Sequence, residues 1–183
     1  DAYSKGTYAD FDFDNDWFII DGQTRPFLRS EHSTTIRTAN QLQLVSLDLG
    51  ASYILVNDID LGAALTNQSN HWSGKVDHDA FEGSFVPIGT GLESGNALPF
   101  SGSFDGADNT IHNLIINRPN DEDVVGLFGD VKMALDQPGI HDLNLTDLTI
   151  RMGYDEEISS ETVGGLIGSL RSGRLTNVTV SGL

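Results

Sequence analysis

Residues 71–79 hold the chain's densest group of side chains able to do chemistry: His71, Trp72, Asp77, His78 and Asp79. Two imidazoles and two carboxylates are ligand types for zinc, but their spacing matches no zinc motif of known geometry. An indole among polar neighbours can also stack on a sugar ring. Trp72, His71 and His78 are therefore the candidates for contact with a carbohydrate or protein ligand, and a loop without a site is the plainer reading. Asp10, Asp12, Asp14 and Asp16 alternate with aromatic residues, and several carboxylate oxygens suit calcium. An EF-hand loop needs Gly at its sixth position, where counting from Asp10 or Asp12 finds Asn15 or Trp17. Asn57, Asp58 and Asp60 make a second acidic turn. Asp12, Asp14, Asp58 and Asp60 are thus calcium candidates, with solvated carboxylates as the alternative reading. No catalytic fingerprint, such as GxSxG, HExxH or a P-loop, occurs in the chain. No residue is assigned to catalysis and no resident cofactor is expected.

These side chains must be held by repeating elements. Ile111-His112-Asn113-Leu114-Ile115-Ile116, Ile140-His141-Asp142-Leu143-Asn144-Leu145 and Leu175-Thr176-Asn177-Val178-Thr179-Val180 share one form: aliphatic, any, Asn or Asp, aliphatic, any, aliphatic. The intervals are 29 and 35 residues, the range of stacked solenoids. Leu114 and Ile116 share a strand face while Ile111 is out of phase. A corner at Asn113 removes the conflict, because Asn and Asp tolerate left-handed conformations. The reading is an all-β parallel β-helix with loop insertions and one short helix, favoured over a propeller because the intervals are short and irregular. Asn113, Asp142 and Asn177 are expected to stack as one hydrogen-bonded ladder. Leu114, Leu143 and Val178 should form one core column, with Ile116, Leu145 and Val180 forming the next. His112 and His141 should then be neighbours on the outside.

Elsewhere the alternation from Asp10 to Ile20 predicts a strand, with Asp21-Gly22 as a turn and residues 1–31 as capping strands of a preceding block. Residues 32–183 form the β-helical segment, cut within a repeat. Thr38 to Leu49 is the one predicted helix, capped by Thr38 with Gln41 and ended by Gly50. Residues 66–83 read as a polar loop, Phe85–Gly89 as an edge strand because of Pro87, and residues 90–97 as a Gly-rich loop.

The formal charge of −17, from 27 acidic and 10 basic residues, argues against nucleic acid and anionic membranes as partners. No apolar run reaches the ~20 residues of a membrane helix, so no membrane insertion is expected. The chain has no Cys, which decides nothing about compartment. Asn67, Asn144 and Asn177 begin glycosylation sequons, and Asn67 lies on the most open predicted loop.

Val163-Gly164-Gly165-Leu166-Ile167-Gly168 followed by Leu175–Gly182 resembles the GLUG motif of large bacterial surface proteins. Ile36 to Leu61, Phe85–Gly89 and Pro99–Gly106 resemble the text that precedes such motifs, and Phe11–Trp17 with Arg25–Arg29 the tail of a previous block. The chain is thus similar, over nearly its whole length, to a filamentous-haemagglutinin-like adhesin of two-partner secretion. That resemblance implies a right-handed parallel β-helix, a secreted or bacterial cell-surface location, and a role in virulence-type attachment to host-cell or biofilm glycans or proteins. It implies a monomeric, non-catalytic stalk or binding surface. Two alternatives stand beside it. One is an accessory domain of an IgA-peptidase-like protein; the other is a β-helical enzyme that degrades polysaccharides.

Overall fold

In the recurring phrase the corner residue decides which side chains face inward. Asn113, Asp142 and Asn177 all take positive φ, between 50° and 56°. Asp142 sits inside the strand Ile140–Thr146 and resets its phase there. Ile140, Leu143 and Leu145 are therefore all buried, although strict alternation would put Ile140 and Leu143 on opposite faces. Asn and Asp pay less than other non-glycine residues for this conformation because their short polar side chains bond locally.

The computed structural model describes residues 1–77, 80–89, 98–118, 124–152 and 162–182. It is strand-rich, with much of the pairing parallel. The elements are β1 (Trp17–Phe18), β2 (Phe27–Leu28), β3 (Thr35–Ile36), α1 (Ala39–Gln43), β4 (Ser52–Leu55), β5 (Ile59–Asp60), α2 (Gly62–Leu65), β6 (Gly74–Asp77) and β7 (Ala80–Gly83). Then follow β8 (Ser103–Asp105), β9 (Thr110–His112), β10 (Ile115–Arg118), β11 (Val124–Val125), β12 (Phe128–Lys132) and β13 (Ile140–Thr146). The last are β14 (Thr149–Met152), β15 (Thr162–Val163), β16 (Ile167–Ser172) and β17 (Leu175–Ser181).

The main sheet runs β3-β4-β8-β13-β9-β5, with β17 also on β13, and every pairing in it is parallel. Two further parallel layers are β10 with β14 and β12 with β16, and β11 pairs β15 beside the latter. Strands of like position thus stack as rungs. One inward column is Tyr53, Phe104, Ile140 and Leu175; another is Ile59, Ile111, Leu145 and Val180. Phe100, Phe104 and Phe128 pack between the layers, with ring centroids 4.9 and 5.5 Å apart. Close rung spacing needs glycine at Gly102, where a Cβ would lie 1.8 Å from the Ala51 carbonyl oxygen of the neighbouring rung.

The register corrects the expected columns. Leu143 does stand on Val178, but Ile111 pairs with Leu145, 34 residues on, rather than with Ile140. The phrase around Asn113 therefore lies against Leu145-Thr146-Asp147-Leu148-Thr149-Ile150, an overlapping copy of the same form whose corner Asp147 has φ 55°. Leu114 neighbours Leu148, since Thr149 N–H donates to the Leu114 carbonyl. Ile116 pairs with Ile150 rather than Leu145. This overlap turns a repeat near 34 into an apparent interval of 29.

Residues 10–16 form a turn where a strand was expected. Asp12 Oδ1 accepts from the N–H groups of Asp14 and Asn15, both at 3.0 Å, and Oδ2 accepts from Asn15 Nδ2 at 2.8 Å. A side chain that satisfies local amides competes with a strand ladder. Only β1 is extended, antiparallel to β2. Residues 20–28 join the core: Ile20 and Phe27 are buried, and Arg25 N–H donates to the His71 carbonyl.

Thr38 caps α1 by accepting from Gln41 N–H at 3.2 Å, while Gln41 Oε1 accepts from Arg37 N–H at 2.8 Å. The α-helix is shorter than expected, stopping at Gln43 and passing into a 3₁₀ turn over Leu44–Leu47. The expected loop at 66–83 contains the antiparallel hairpin β6–β7. Phe85, Val86 and Ile88 are buried; only Ile88 pairs there, in a parallel bridge to Phe128. The expected loop at 90–97 lies outside the described residues.

Candidate functional site

Trp72 is core. It is 1% exposed, and its Nε1–H donates to Gln43 Oε1 at 2.8 Å. Gln43 is fully buried and completes the arrangement by accepting from Val86 N–H and donating to the Val86 carbonyl, each at 3.0 Å. Phe27 meets the indole edge-on at 5.9 Å and Phe85 stacks at 6.4 Å. An indole so enclosed has no face left for a sugar ring. His71 is also turned inward, half-buried and stacked on Phe27 at 4.2 Å. Burial lowers its pKa and favours the neutral ring, opposed in part by the Glu31 carboxylate. His78 lies outside the described residues. The polar text around Trp72 therefore marks an anchor between the hairpin and α1.

Three of the four calcium candidates, Asp12, Asp58 and Asp60, are engaged one by one with backbone and amide groups. Asp12 holds its own turn, and hydrogen bonds from Asn15 keep its carboxyl below the usual range. Asp14 is exposed beside it. Asp58 Oδ1 accepts from Thr110 N–H at 2.7 Å, tying β5 to the next rung. Asp60 Oδ1 accepts from Gly62 N–H and from Asn113 Nδ2, both at 2.8 Å. The Asn113 amide is the chief cause of its lowered pKa.

The amide–carboxylate bonding forms two columns rather than one. Asn113 belongs with Asp60. Asn177 Nδ2 reaches Asp142 Oδ1 at 2.6 Å and Asp108 Oδ1 at 3.4 Å. The register is the cause: the turn at Gly106–Asp108, not Asn113, covers Asp142, through Asp108 N–H to the Asp142 carbonyl at 2.8 Å.

The same register creates a cluster that sequence reasoning missed. Asp105 on β8 and His141 on β13 are directly paired. His141 Nδ1 lies 2.9 Å from Asp142 Oδ2 and 3.5 Å from Asp105 Oδ1. Among the described residues this is the one group of three His, Asp or Glu side chains whose ligand atoms converge within 4.8 Å. The group is partly exposed. These separations set the imidazole Nδ1 between two carboxylate oxygens, and they also match ligands ~3 Å apart around one ion bound at ~2 Å. Asn177 first, then His141, holds the Asp142 carboxyl below its ordinary pKa. The His-Asp dipeptide is visible in sequence, but Asp105 joins it only through the pairing of two strands. His112 is not beside His141; its Nδ1 lies 2.8 Å from Thr146 Oγ1.

A groove of about 470 Å³ opens along the last rung, lined by Leu166, Ile167, Leu175, Thr176, Asn177, Val178 and Val180. Its lining carries no carboxylate. Nearby, Arg171 grips the buried Asp130 through Nη2 to Oδ2 at 2.6 Å and Nε to Oδ1 at 3.0 Å. No described helix is long and apolar enough to cross a membrane.

No family model matches the chain, and no solved structure matches it. The chain is similar to Halomucin of Haloquadratum walsbyi (strain DSM 16790 / HBSQ001), with 34% identity over 132 residues, 72% of this chain. The matched stretch spans 1% of that relative's length.

Proposed function

We propose that the chain is a non-catalytic segment of a secreted, surface-displayed protein. It acts as a stiff stalk whose outer rung faces meet glycans or proteins. The observation that carries this reading is the continuous inward column Tyr53, Phe104, Ile140 and Leu175, held by parallel pairing of β4, β8, β13 and β17. Rungs stacked on one column extend without changing their neighbours' packing, the property of a scaffold. The finer architecture we assign is the right-handed parallel β-helix implied by the GLUG-like phrases, of the filamentous-haemagglutinin-like kind. Similarity to a protein named as a mucin supports a place outside the cell.

Because Trp72 is enclosed, the display surface is assigned to outward positions of the rungs, such as the row Ile54, Asp105, His141 and Thr176. A glycan array and a cell-binding assay on the full chain, with and without EDTA, test the reading. Retention on a glycan class or cell surface, reduced by substituting Thr176 or His141, is the expected result. Loss of every interaction in both conditions would leave only a spacer. Release of reducing ends from a polysaccharide would refute the non-catalytic reading.

A further inference from the structure

We propose that Asn67 is an N-glycosylation site of the folded chain, and that the fold closes the two other sequons, at Asn144 and Asn177. The group it takes is an oligosaccharide delivered on a lipid-linked pyrophosphate donor. The proposal adds a covalent site to the displayed surface and is independent of what the rungs bind.

All three asparagines stand two residues before Ser or Thr, the spacing that marks an acceptor. The amide nitrogen must come within ~3–3.5 Å of the donor's anomeric carbon. The hydroxyl two residues on must be open to the enzyme, and the backbone between them must not be tied into a ladder. Asn144 fails on each count. Its Nδ2 donates to the Asp108 carbonyl at 3.0 Å, while Thr146 Oγ1 lies 2.8 Å from His112 Nδ1 and donates to Asp147 Oδ2 at 3.1 Å. Strand β13 is laddered on both sides there, with Asn144 opposite Thr110 of β9 and Thr179 of β17. Asn177 is held as well. Its Nδ2 donates to Asp142 Oδ1 at 2.6 Å, and its backbone takes a left-handed φ of 51° inside β17.

Asn67 is the reverse. Thr66, Asn67, Gln68 and Ser69 are all exposed, directly after α2. They form a turn in which Asn70 N–H donates to the Asn67 carbonyl and Ser69 N–H donates to Asn67 Oδ1, both at 2.9 Å. The second bond pins the oxygen half of the side-chain amide to its own turn and leaves the nitrogen half outside. Among the described residues, neither Asn67 Nδ2 nor Ser69 Oγ has a hydrogen-bond partner. Arg25 holds the loop in place, through Nη1 to the Ser69 carbonyl at 3.2 Å and Nη2 to the Gln68 carbonyl at 3.1 Å. The sequon is thus presented from a fixed base with both of its reading groups open. In the transfer, Asn67 Nδ2 bonds to the anomeric carbon as the anomeric C–O bond breaks. The electron pair leaves with the pyrophosphate, and one Nδ2 proton passes to a base of the transferase.

The test incubates the full folded chain with a purified oligosaccharyltransferase that accepts Asn-X-Ser/Thr, together with its lipid-linked oligosaccharide donor. Peptides spanning 62–72, 139–149 and 172–182 run beside it, and intact mass with peptide mapping reads occupancy. A single glycan on the folded chain, at Asn67, is the expected result, although all three peptides are accepted. Transfer to Asn144 and Asn177 in the folded chain should be about tenfold slower or less still, because it waits for local opening of the ladder. N67Q should abolish the modification, and so should S69A, which keeps the asparagine but removes the hydroxyl. A folded chain left unmodified at Asn67 while its peptide is accepted would overturn the proposal. So would occupancy of Asn144 or Asn177 equal to that of Asn67 in the folded chain. Either failure leaves glycan or cell binding by the rungs untouched, so it is distinct from failure of the display reading.

Discussion

Replacing Gln43 with leucine should remove the bolt that fixes the Trp72 hairpin to α1. Leucine is close to glutamine in volume, so the cavity term is small and hydrogen bonding dominates. Three buried groups lose their partner: Trp72 Nε1–H, Val86 N–H and the Val86 carbonyl. Each buried polar group left unpaired costs roughly 1–3 kcal/mol. The three share one side chain and relax together, so the total is about 3–5 kcal/mol, not the full sum. Domains of this kind have ~5–15 kcal/mol of stability, so a large part should go. Urea unfolding followed by fluorescence is the assay; Trp72 and Trp17 are the two tryptophans. The indole of Trp72 should become wetter in the variant, with red-shifted native emission. Adding Trp72→Phe to Gln43→Leu removes one orphaned donor and should restore about 1–2 kcal/mol relative to the sum of the single changes. A cost below ~1 kcal/mol for Gln43→Leu would refute the buried network and return Trp72 to the surface as a ligand-binding candidate.

Other outcomes follow from the corners and the charge. Asn113→Leu should cost about 1–3 kcal/mol, through left-handed strain and the lost bond to Asp60; an unchanged melting temperature would contradict it. The Asp142 carboxyl, held below its ordinary 3.8 by Asn177 and His141, should titrate by carbon NMR below that value and move back toward it in Asn177→Ala. Because the folded form is the more acidic, stability from this corner is complete above the ordinary carboxylate pKa. It is lost as pH falls through the depressed folded value. His71 behaves as a base with a lowered pKa, so stability should also decline as pH drops below its ordinary 6.5; flat stability between neutrality and pH 5 would argue against a buried neutral ring. With 27 acidic and 10 basic residues, self-repulsion should be relieved by salt. The Debye length shrinks from ~30 Å to ~3 Å between 0.01 and 1 M. Melting temperature should rise over that range, and a fall would mean that the paired charges outweigh the repelling ones.

Strand content, the parallel stacking and the corner positions were legible because they depend on short local phrases. Asn113, Asp142 and Asn177 announce a left-handed residue between inward aliphatics, whichever rung they face. Register was not legible. The segment Ile140 to Ile150 carries two overlapping copies of the phrase, and only packing decides that Ile111 selects Leu145. What depends on the register of the first phrase was misassigned with it, namely the partner of Asn113 and the neighbour of His112, and the meeting of Asp105 with His141 was missed, whereas Leu143 over Val178 and Leu145 over Val180 were placed as expected. The start of α1 was readable from Thr38 and Gln41, whereas its early end was not. Asp12 illustrates a different conflict, since its side chain winds the acidic–aromatic run into a turn while Phe11 and Trp17 close ring to ring at 4.4 Å. Trp72 was hidden for a third reason. Its neighbours in sequence are polar, but Phe27, Gln43 and Phe85, which enclose it, come from three distant segments.

The stacking register is tested most directly by cross-linking, because the chain has no cysteine of its own. His112 and Thr146 are directly paired on adjacent parallel strands with touching side chains. Neighbouring strands ~4.8 Å apart lie within disulfide reach. Mild oxidation of H112C/T146C should give a cross-link in nearly all molecules, while H112C/H141C, the pair a uniform 29-residue step would bring together, should stay reduced. The opposite pattern would contradict the rung assignment and the stalk derived from it.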